Sequence, residues 1–376
     1  MNASVFFDAY SPVHETKDPG LMLIGLGLLG DSTTLVTEVK SELNGYRAPF
    51  LLVMAERNQL SEVDFWRRID AEAVICYTWV DPRYNPILRA ICKSGKSVLV
   101  KADTDGRLGY PVVPRQYLLK HRHTAATFAL KLWYRFYRLR GKIEQLEEVS
   151  GVMVESPSAY LNIQKFLEYW GRSDLVSKFH MVPNCVADDI TTAELAEKQN
   201  ILSSVARWND PAKNTSMMLS CSKKFLEDNP DWRLRLIGPA DDVVRQRVSD
   251  WKSGLRDRVE ITGLVPHERM AKLLGESRIF FMPSNWEGSP IAAAEAVCMG
   301  CTIVATPLEA FDFLISGGLS GTLSKDFEFE SIMRALASDA SKHKQGIYDP
   351  MGIAAQWRSK LSTREVASQI HKLITA

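Results

Sequence analysis

Residues Phe281–Thr306 read FMPSNWEGSPIAAAEAVCMGCTIVAT. The first apolar run ends at Pro283, a turn of glycine, serine and proline opens a helix near Pro290, and Gly300 ends that helix before a second strand. A similar alternation of short β-branched runs and amphipathic stretches extends through almost the whole chain. This alternation is typical of parallel strands joined by crossover helices, so we predict an α/β fold.

The composition is that of a globular protein of two domains. The chain has 376 residues, 45% of them hydrophobic and 24% charged, which excludes a disordered or fibrous protein. Its 46 basic and 45 acidic residues give a formal charge of +1, so no nucleic-acid partner is expected. The longest nearly charge-free apolar stretch, Leu21–Gly30, is about half of the ~20 residues of a spanning helix, and no signal peptide is recognised. We therefore expect a cytoplasmic location.

The predicted elements form two doubly wound sheets, one in each half of the chain. In the first half we predict strands at Ser4–Ala9, Phe50–Glu56, Ala73–Trp79, Ser97–Ala102, Val152–Ser156 and His180–Pro183. The helices predicted there are Thr33–Leu43, Arg83–Lys93, one within Arg115–Glu148, and Ser158–Tyr169. In the second half we predict strands at Ile201–Ala206, Arg233–Ile237, Val259–Thr262, Arg278–Met282 and Thr302–Ala305. The predicted domains are 1–186 and 187–350, followed by a helical tail, 351–376.

Four charged residues are candidates for a binding site in the second half. Arg207 ends a strand and Lys213 opens the next helix, at the sheet edge where doubly wound folds bind ligands. The two cations could neutralise a diphosphate without a metal, or form an ordinary surface pair. Glu287 precedes the helix of the opening stretch and Glu295 lies in it. These acids could face a cleft, or cap the helix and face solvent.

This combination resembles the nucleotide-sugar domain of family 4 retaining glycosyltransferases, which have the GT-B fold. The resemblance covers about Val205–Thr306 and depends on Arg207, Lys213-Asn214, Gly263, Pro283-Ser284, and Glu287 and Glu295 separated by seven residues. It implies two Rossmann-like domains facing a cleft, an acceptor site in the first domain, and a last helix that crosses back to that domain.

The resemblance also implies an activity, namely transfer of a sugar from a nucleoside diphosphate to a hydroxyl of a glycan, lipid or small molecule. The anomeric configuration would be retained and neither a metal nor a cofactor is expected; UDP or GDP is expected as the nucleotide in preference to ADP. Arg207, Lys213 and Glu287 would be the catalytic residues. The implied donor-binding residues are Arg207 and Lys213 for the diphosphate, Leu264 and Val265 for the base, Glu287, Gly288, Ser289 and Pro290 for the sugar, and Glu295 for the ribose.

Two features depart from this family or compete with it. A histidine that the family often has in the acceptor domain is absent from Val100–Gly106, where Asp103 and Asp105 are the polar candidates. This absence motivates an alternative function, a non-catalytic module that binds sugar nucleotides. The sequence Gly25-Leu-Gly27-Leu-Leu-Gly30 matches a dinucleotide fingerprint, so an NAD-dependent oxidoreductase is a further alternative. In a glycosyltransferase, Gly27 and Gly30 would instead belong to a phosphate and acceptor loop.

A basic segment is the remaining candidate for a partner. No acidic residue occurs between Gly106 and Ile143, while lysines and arginines alternate there with aromatic residues. Residues 107–142 could therefore lie on the anionic inner face of a membrane, receive an acidic acceptor, or form a helix with one solvated side.

Overall fold

The computed structural model describes residues 2–40, 43, 45–104, 106, 108, 138–239 and 242–375. The chain divides into two compact units. The first extends to Pro183 and includes the residues from Val366 onward, and the second is Asn184–Glu365. Each unit has a parallel sheet with helices, which confirms the predicted α/β class. Asp105 and most of the basic segment (107 and 109–137) lie outside the described residues.

The first unit contains a parallel sheet. Its strands are β1 (Asn2–Phe6), β2 (Ser32–Glu38), β3 (Leu51–Ala55), β4 (Ala73–Tyr77), β5 (Ser97–Lys101), β6 (Gly151–Val154) and β7 (Phe179–Met181). The order across the described sheet is β3-β2-β1-β4-β5-β6-β7. The chain therefore changes direction across the sheet between β1 and β4, and the carboxyl ends of these two strands form the unit's topological switch point.

Short helices connect these strands. They are α1 (Asp18–Leu28), α2 (Arg57–Leu60), α3 (Val63–Arg68), α4 (Asn85–Lys93), α5 (Leu139–Glu148) and α6 (Pro157–Tyr169). The strands β4 and β6 are buried along their whole length, as expected for central parallel strands covered on both faces. Trp66, Ile91 and Ile163 on the helices and Val74 and Val152 on the strands belong to one apolar core.

The second unit has a parallel sheet of the same type. Its strands are β8 (Gln199–Val205), β9 (Arg233–Ile237), β10 (Val259–Gly263), β11 (Ser277–Met282), β12 (Thr302–Ala305) and β13 (Gly321–Leu323). The order across the described strands is β10-β9-β8-β11-β12-β13. Because β8 pairs in parallel with both β9 and β11, the switch point lies between β8 and β11.

The helices of the second unit pack on this sheet. They are α7 (Asp188–Thr191), α8 (Thr215–Asp228), α9 (Asp242–Ser249), α10 (Ser253–Arg256), α11 (His267–Glu276), α12 (Ile291–Cys298), α13 (Glu309–Ile315), α14 (Phe329–Lys344), α15 (Pro350–Leu361) and α16 (Thr363–Thr375), of which α16 ends in the first unit. In α8, the buried residues Met218, Cys221, Ser222 and Phe225 recur at the spacing of one helical face, and this face packs toward the core.

Two predicted elements near the amino terminus are wrong. Thr33–Leu43 does not form a helix, because its β-branched residues lie in strand β2, whose central residues are buried. Gly27 and Gly30 do not form the predicted phosphate and acceptor loop, because α1 begins at Asp18 with Pro19 in its first turn and continues through an almost uniformly apolar sequence to Leu28. A helix buried on nearly every side has no amphipathic period, so pattern analysis missed it.

The position of α1 excludes both interpretations of the glycine motif. Gly25 and Gly27 lie inside this helix, and Gly30 follows it with a left-handed φ of 89°. A dinucleotide fingerprint requires a strand before the glycines and a helix after them, whereas here a helix precedes them and β2 follows. Because α1 returns the chain to the amino end of β2, Gly27 and Gly30 are at the edge of the sheet opposite the strand ends that bind ligands. The predictions of an NAD site and of a phosphate loop are therefore wrong.

The predicted tail consists of two helices that belong to different units. α15 packs on α12 in the second unit, where Arg358 Nε donates to the carbonyl of Cys298 at 2.7 Å. From Val366 onward α16 belongs to the first unit, where His371 pairs with Asp31 at 2.9 Å. Within the described parts of the chain, every helix is too short or too polar to span a bilayer.

Gly300 provides a test of the contact between α12 and α15. Its φ is 73°, and a Cβ there would lie 2.5 Å from the carbonyl oxygen of Pro350. Gly346 has a similar φ of 67° but open space around it, so it is a matched control. Gly346→Ala should lower the free energy of unfolding by about 1 kcal/mol because of the left-handed backbone. Gly300→Ala should lower it by about 2 kcal/mol more because of the added overlap. Urea unfolding measures both, and equal losses would contradict the close packing.

Candidate functional site

The carboxyl ends of β8 and β11 meet at the switch point of the second unit. The strands are in register, with Leu202 beside Ile279 and Ser203 beside Phe280. The segments that leave the two strands therefore begin at the same level of the sheet. Ligands of doubly wound folds bind at such a point, outside the strand ends. The predicted cations follow β8 and the predicted acid Glu287 follows β11, so the fold brings these segments to one edge.

Arg207 lies two residues beyond β8 and is accessible. Its guanidinium donates to Asp210 at 3.2 Å, and its side chain is 75% exposed. Asp210 also accepts the backbone N–H of Ala212 at 2.9 Å, which shapes the short helical turn that ends at Lys213. An exposed ion pair of this kind contributes about 0–1 kcal/mol. Arg207 can therefore exchange Asp210 for a bound anion at little cost.

Lys213 and Glu287 are in direct contact, although 74 positions separate them in the sequence. The ammonium of Lys213 donates to Oε1 of Glu287 at 2.7 Å, and the two side chains are only 19% and 8% exposed. Ser284 Oγ donates to the same oxygen at 2.6 Å. Both of these donors reach Oε1, which leaves Oε2 for a ligand hydroxyl. The pair is therefore a half-buried cation beside a carboxylate that is held by two donors.

Backbone contacts hold the two segments together. The N–H of Asn285 donates to the carbonyl of Ala212 at 2.7 Å, and its side-chain amide donates to the carbonyl of Pro211 at 2.9 Å. Asn214, which follows Lys213, adopts a left-handed φ of 48° and leads into α8. These contacts position Lys213 independently of its side-chain ion pair.

Glu295 contacts a histidine that the sequence analysis did not identify. His267 donates through Nε2 to Oε1 of Glu295 at 2.8 Å and through Nδ1 to the carboxylate of Asp189 at 2.9 Å. Burial lowers the pKa of His267, but its hydrogen bonds and ion pairs with Glu295 and Asp189 outweigh burial and raise the pKa to about 9. The imidazole is therefore a cation at neutral pH that fixes the Glu295 carboxylate.

The predicted base-binding residues lie in the turn just before His267. β10 ends at Gly263, whose carbonyl accepts the N–H of Gly238 at 2.9 Å and whose φ is 70°. Leu264 is 84% exposed, whereas Val265 packs partly on the core. The side chain of Leu264 is thus available for a planar ligand, next to the helix that carries the partner of Glu295.

The predicted sugar-binding turn leads into α12. Gly288 and Ser289 are half-buried and Pro290 is buried, immediately before the helix. The N–H of Ile291 donates to the carbonyl of Ser289 at 3.0 Å, which closes the turn. Glu287 lies at the start of this turn and Glu295 lies in the helix that follows it. The turn therefore sets the distance between the two carboxylates.

The structure brings some of the predicted residues together and leaves others apart. Lys213 contacts Glu287 directly, whereas Arg207 contacts Asp210 and Glu295 contacts His267. His267 and Asp189 were not among the predicted site residues, because a single histidine at a helix start gives no periodic or motif signal. In the first unit, the acceptor candidate Asp103 follows β5 and is accessible, with a left-handed φ of 41°. The other candidate, Asp105, lies outside the described residues.

The chain is similar to several known proteins. Residues 199–339, which contain every predicted donor-binding residue, match the family model for glycosyl transferases group 1. The amylovoran biosynthesis glycosyltransferase AmsK of Erwinia amylovora is 26% identical over 166 residues, 43% of this chain and 40% of that protein. The lipopolysaccharide core biosynthesis mannosyltransferase LpsB of Rhizobium meliloti is 29% identical over 117 residues, 29% of this chain and 32% of that protein. The chain thus matches less than half the length of these relatives.

Solved structures show the fold of the whole chain. A glycosyltransferase from Rickettsia africae superposes with a TM-score of 0.70 at 12% identity, over 100% of this chain and 97% of that one. HepE from Anabaena, solved in complex with UDP and glucose, superposes with a TM-score of 0.66 at 13% identity over 100% of both chains. These similarities establish the GT-B fold.

The buried pair makes a prediction about stability. Lys213→Ala should lower the free energy of unfolding by about 2 kcal/mol, because it leaves the Glu287 carboxylate buried without its cation. In the double variant Lys213→Ala/Glu287→Gln, at least half of this loss should be recovered, since the glutamine is neutral. Lys224→Ala, which removes an exposed pair with Asp228, is the control and should change stability by less than about 0.5 kcal/mol. Denaturant titration measures all three, and a double variant as unstable as the single one would contradict the ion pair.

His267 makes a prediction about pH. Its pKa rises from 6.5 to about 9 on folding, so its contribution to stability is complete below pH 6.5 and is lost as the pH rises through 9. This contribution is about 3 kcal/mol at most. The difference in unfolding free energy between wild type and His267→Gln should therefore shrink from pH 6 to pH 9.5. A difference that stays constant over this range, or grows, would show that His267 is not a cation held by the two carboxylates.

Proposed function

We propose that this chain, whose second unit carries a group 1 glycosyltransferase domain, is a retaining glycosyltransferase that uses a nucleoside diphosphate sugar without a metal. The acceptor is a hydroxyl group of a glycan, a lipid or a small molecule. The observation that carries the proposal is the ion pair of Lys213 with Glu287 at the switch point of a domain that matches this family. Lys213 can then act on the leaving group, while Glu287, which it contacts, binds the sugar.

The two cations would bind and stabilise the leaving diphosphate. Lys213 uses one of its three N–H donors for Glu287, so the ammonium can still donate to phosphate oxygens. Arg207, which is mostly exposed, can swing from Asp210 to the diphosphate and bind two oxygens through its planar fork. Charge that develops on the leaving oxygen is then stabilised by groups already in position, which is commonly the largest contribution to catalysis.

Glu287 would orient the transferred sugar. Its Oε1 is occupied by Lys213 and Ser284, and its Oε2 can accept a sugar hydroxyl. The family resemblance assigns the backbone of Gly288, Ser289 and Pro290 to the same sugar. Glu295, which His267 holds, would bind the ribose hydroxyls.

Retention follows in this proposal from attack and departure on the same face of the sugar. The departing diphosphate oxygen takes the proton of the acceptor hydroxyl, so no separate general base is needed. UDP or GDP is the proposed nucleotide, bound beside Leu264. HepE, one of the similar structures, was solved with UDP and glucose, which supports a uridine nucleotide. Association with the inner face of a membrane through 107–142 stays a prediction.

Transfer assays with single variants test the proposal. UDP-, GDP- and ADP-sugars are supplied with a panel of glycan and lipid acceptors, and the wild type should use at least one donor. Arg207→Ala, Lys213→Ala and Glu287→Gln should each lower kcat/KM by about 10²-fold or more, because each removes a group that contacts the reacting part of the donor. Lys224→Ala is the matched control, an exposed lysine on α8 away from the strand ends.

Three further results would contradict parts of this proposal. Wild-type rates in the Arg207 and Lys213 variants would remove these residues from the donor site. Loss of turnover in EDTA that Mg²⁺ restores would contradict metal independence. An inverted anomeric centre in the product, read from its proton NMR coupling, would contradict retention. Donor binding without any turnover would instead favour the non-catalytic module, the alternative that the missing acceptor histidine motivates.

A further inference from the structure

Strained backbone is concentrated beside two neighbouring strands of the first unit. Among the described residues, the non-glycine residues with positive φ are Trp79 (51°), Val80 (52°), Asp103 (41°) and Asn214 (48°). The first three follow β4 and β5, which are adjacent and parallel. Positive φ is uncommon for such residues, above all for a β-branched valine. Strained residues persist only where the surroundings enforce them, and they cluster at ligand sites.

Trp79 and Asp103 lie side by side. In the sheet, Tyr77 at the end of β4 lies beside Lys101 at the end of β5. Trp79 and Asp103 each follow two residues later, so they leave the sheet at the same height. The Trp79 indole N–H lies near enough to the Asp103 carboxylate to interact with it electrostatically. Both side chains remain accessible, with Trp79 exposed to 38%. An aromatic face and a carboxylate are therefore presented together at the carboxyl edge of the sheet.

A buried ion pair fixes the backbone of Asp103. Glu155, which follows β6, accepts the N–H of Asp103 at 2.9 Å and the N–H of Thr104 at 3.2 Å, one on each carboxylate oxygen. Lys101, which is fully buried, lies 3.5 Å from Glu155 and donates to the carbonyl of Val182 at 2.9 Å. The left-handed turn at Asp103 is thus held by the Glu155 carboxylate, which is itself paired with Lys101 and buried away from solvent.

Aromatic neighbours fix Trp79. Its ring centroid lies 5.9 Å from that of Phe7 at an interplanar angle of 71°, and 6.5 Å from that of Tyr84 at 54°. Phe7 follows β1, so the residues that follow β1 and β4 pack on each other at the switch point of the first unit. A large side chain that packs on two neighbouring rings loses little conformational freedom when a ligand covers it.

We propose that Trp79 and Asp103 form a subsite for a sugar ring of the acceptor. This inference rests on the proposed function and narrows the acceptor to a carbohydrate. A pyranose has a face of C–H groups that can pack on an indole, and hydroxyls that can donate to a carboxylate. A phosphate group would be repelled by Asp103, and a lipid chain would leave its charge without a partner. Binding sites for small ligands commonly combine an apolar aromatic surface with a few fixed polar groups.

Binding experiments on the full chain test the subsite without requiring turnover. Saturation-transfer difference NMR is recorded with the methyl glycosides of glucose, galactose, mannose and N-acetylglucosamine, in the presence and absence of UDP. The wild type should transfer saturation to at least one glycoside, mainly to ring protons on one face. Trp79→Ala should weaken this binding about tenfold or more, because it removes the packing surface.

Two other variants complete the design. Asp103→Asn keeps the size of the side chain but removes its charge, and it should also weaken binding, so the test does not depend on the Trp79 variant alone. Tyr169→Ala is the matched control, because Tyr169 is an aromatic residue that is 77% exposed at the end of α6. It should bind the glycosides as the wild type does. Thermal melting confirms that each variant is folded.

The outcomes separate this inference from the proposed function. The subsite is overturned if no glycoside receives saturation from the wild type, or if Trp79→Ala and Asp103→Asn bind as tightly as Tyr169→Ala. Donor hydrolysis without acceptor is measured on the same samples. It should survive in Trp79→Ala and fail in Arg207→Ala. Glycoside binding that needs Trp79, in a protein that hydrolyses no donor, would support the subsite and contradict the transferase.

Discussion

The contact of Lys213 with Glu287 is the interaction on which the candidate donor site depends. The two charges are largely withdrawn from water, so each needs the other, and neither could remain buried alone without a large loss of stability. Their segments leave adjacent parallel strands at the one place where the strand order reverses. The fold thus brings an ammonium and a carboxylate within hydrogen-bonding distance, and the backbone contacts of Asn285 keep them there.

Two further residues hold the carboxylates of the candidate donor site in place. Ser284 fixes the carboxylate of Glu287, and His267 fixes that of Glu295. Neither supporting residue needs to touch a ligand, yet each restricts the rotamers of one that would. Such a site loses less side-chain conformational entropy when a ligand binds, because the rotamers of its carboxylates are already fixed in the folded protein.

The first unit uses the same topology with different side chains. Its sheet also reverses order at a switch point, between β1 and β4, and the residues beyond these strand ends include Phe7, Asp8 and Trp79. The positive φ angles of Trp79 and Asp103 occur at this edge and not in the helices. The same topology therefore places Lys213 and Glu287 at one switch point, and Phe7 and Trp79 at the other.

The sequence by itself determined the α/β class, most strands and the helix over Ile291–Cys298, because hydrophobic period and turn residues act over short distances. It misjudged β2 and α1, where β-branched residues and a uniformly apolar helix gave no decisive period. It named Lys213 and Glu287, but only tertiary structure decided that they touch. The contacts of His267 with Glu295 and of Trp79 with Asp103 likewise depend on the order of strands across a sheet, which no local pattern encodes.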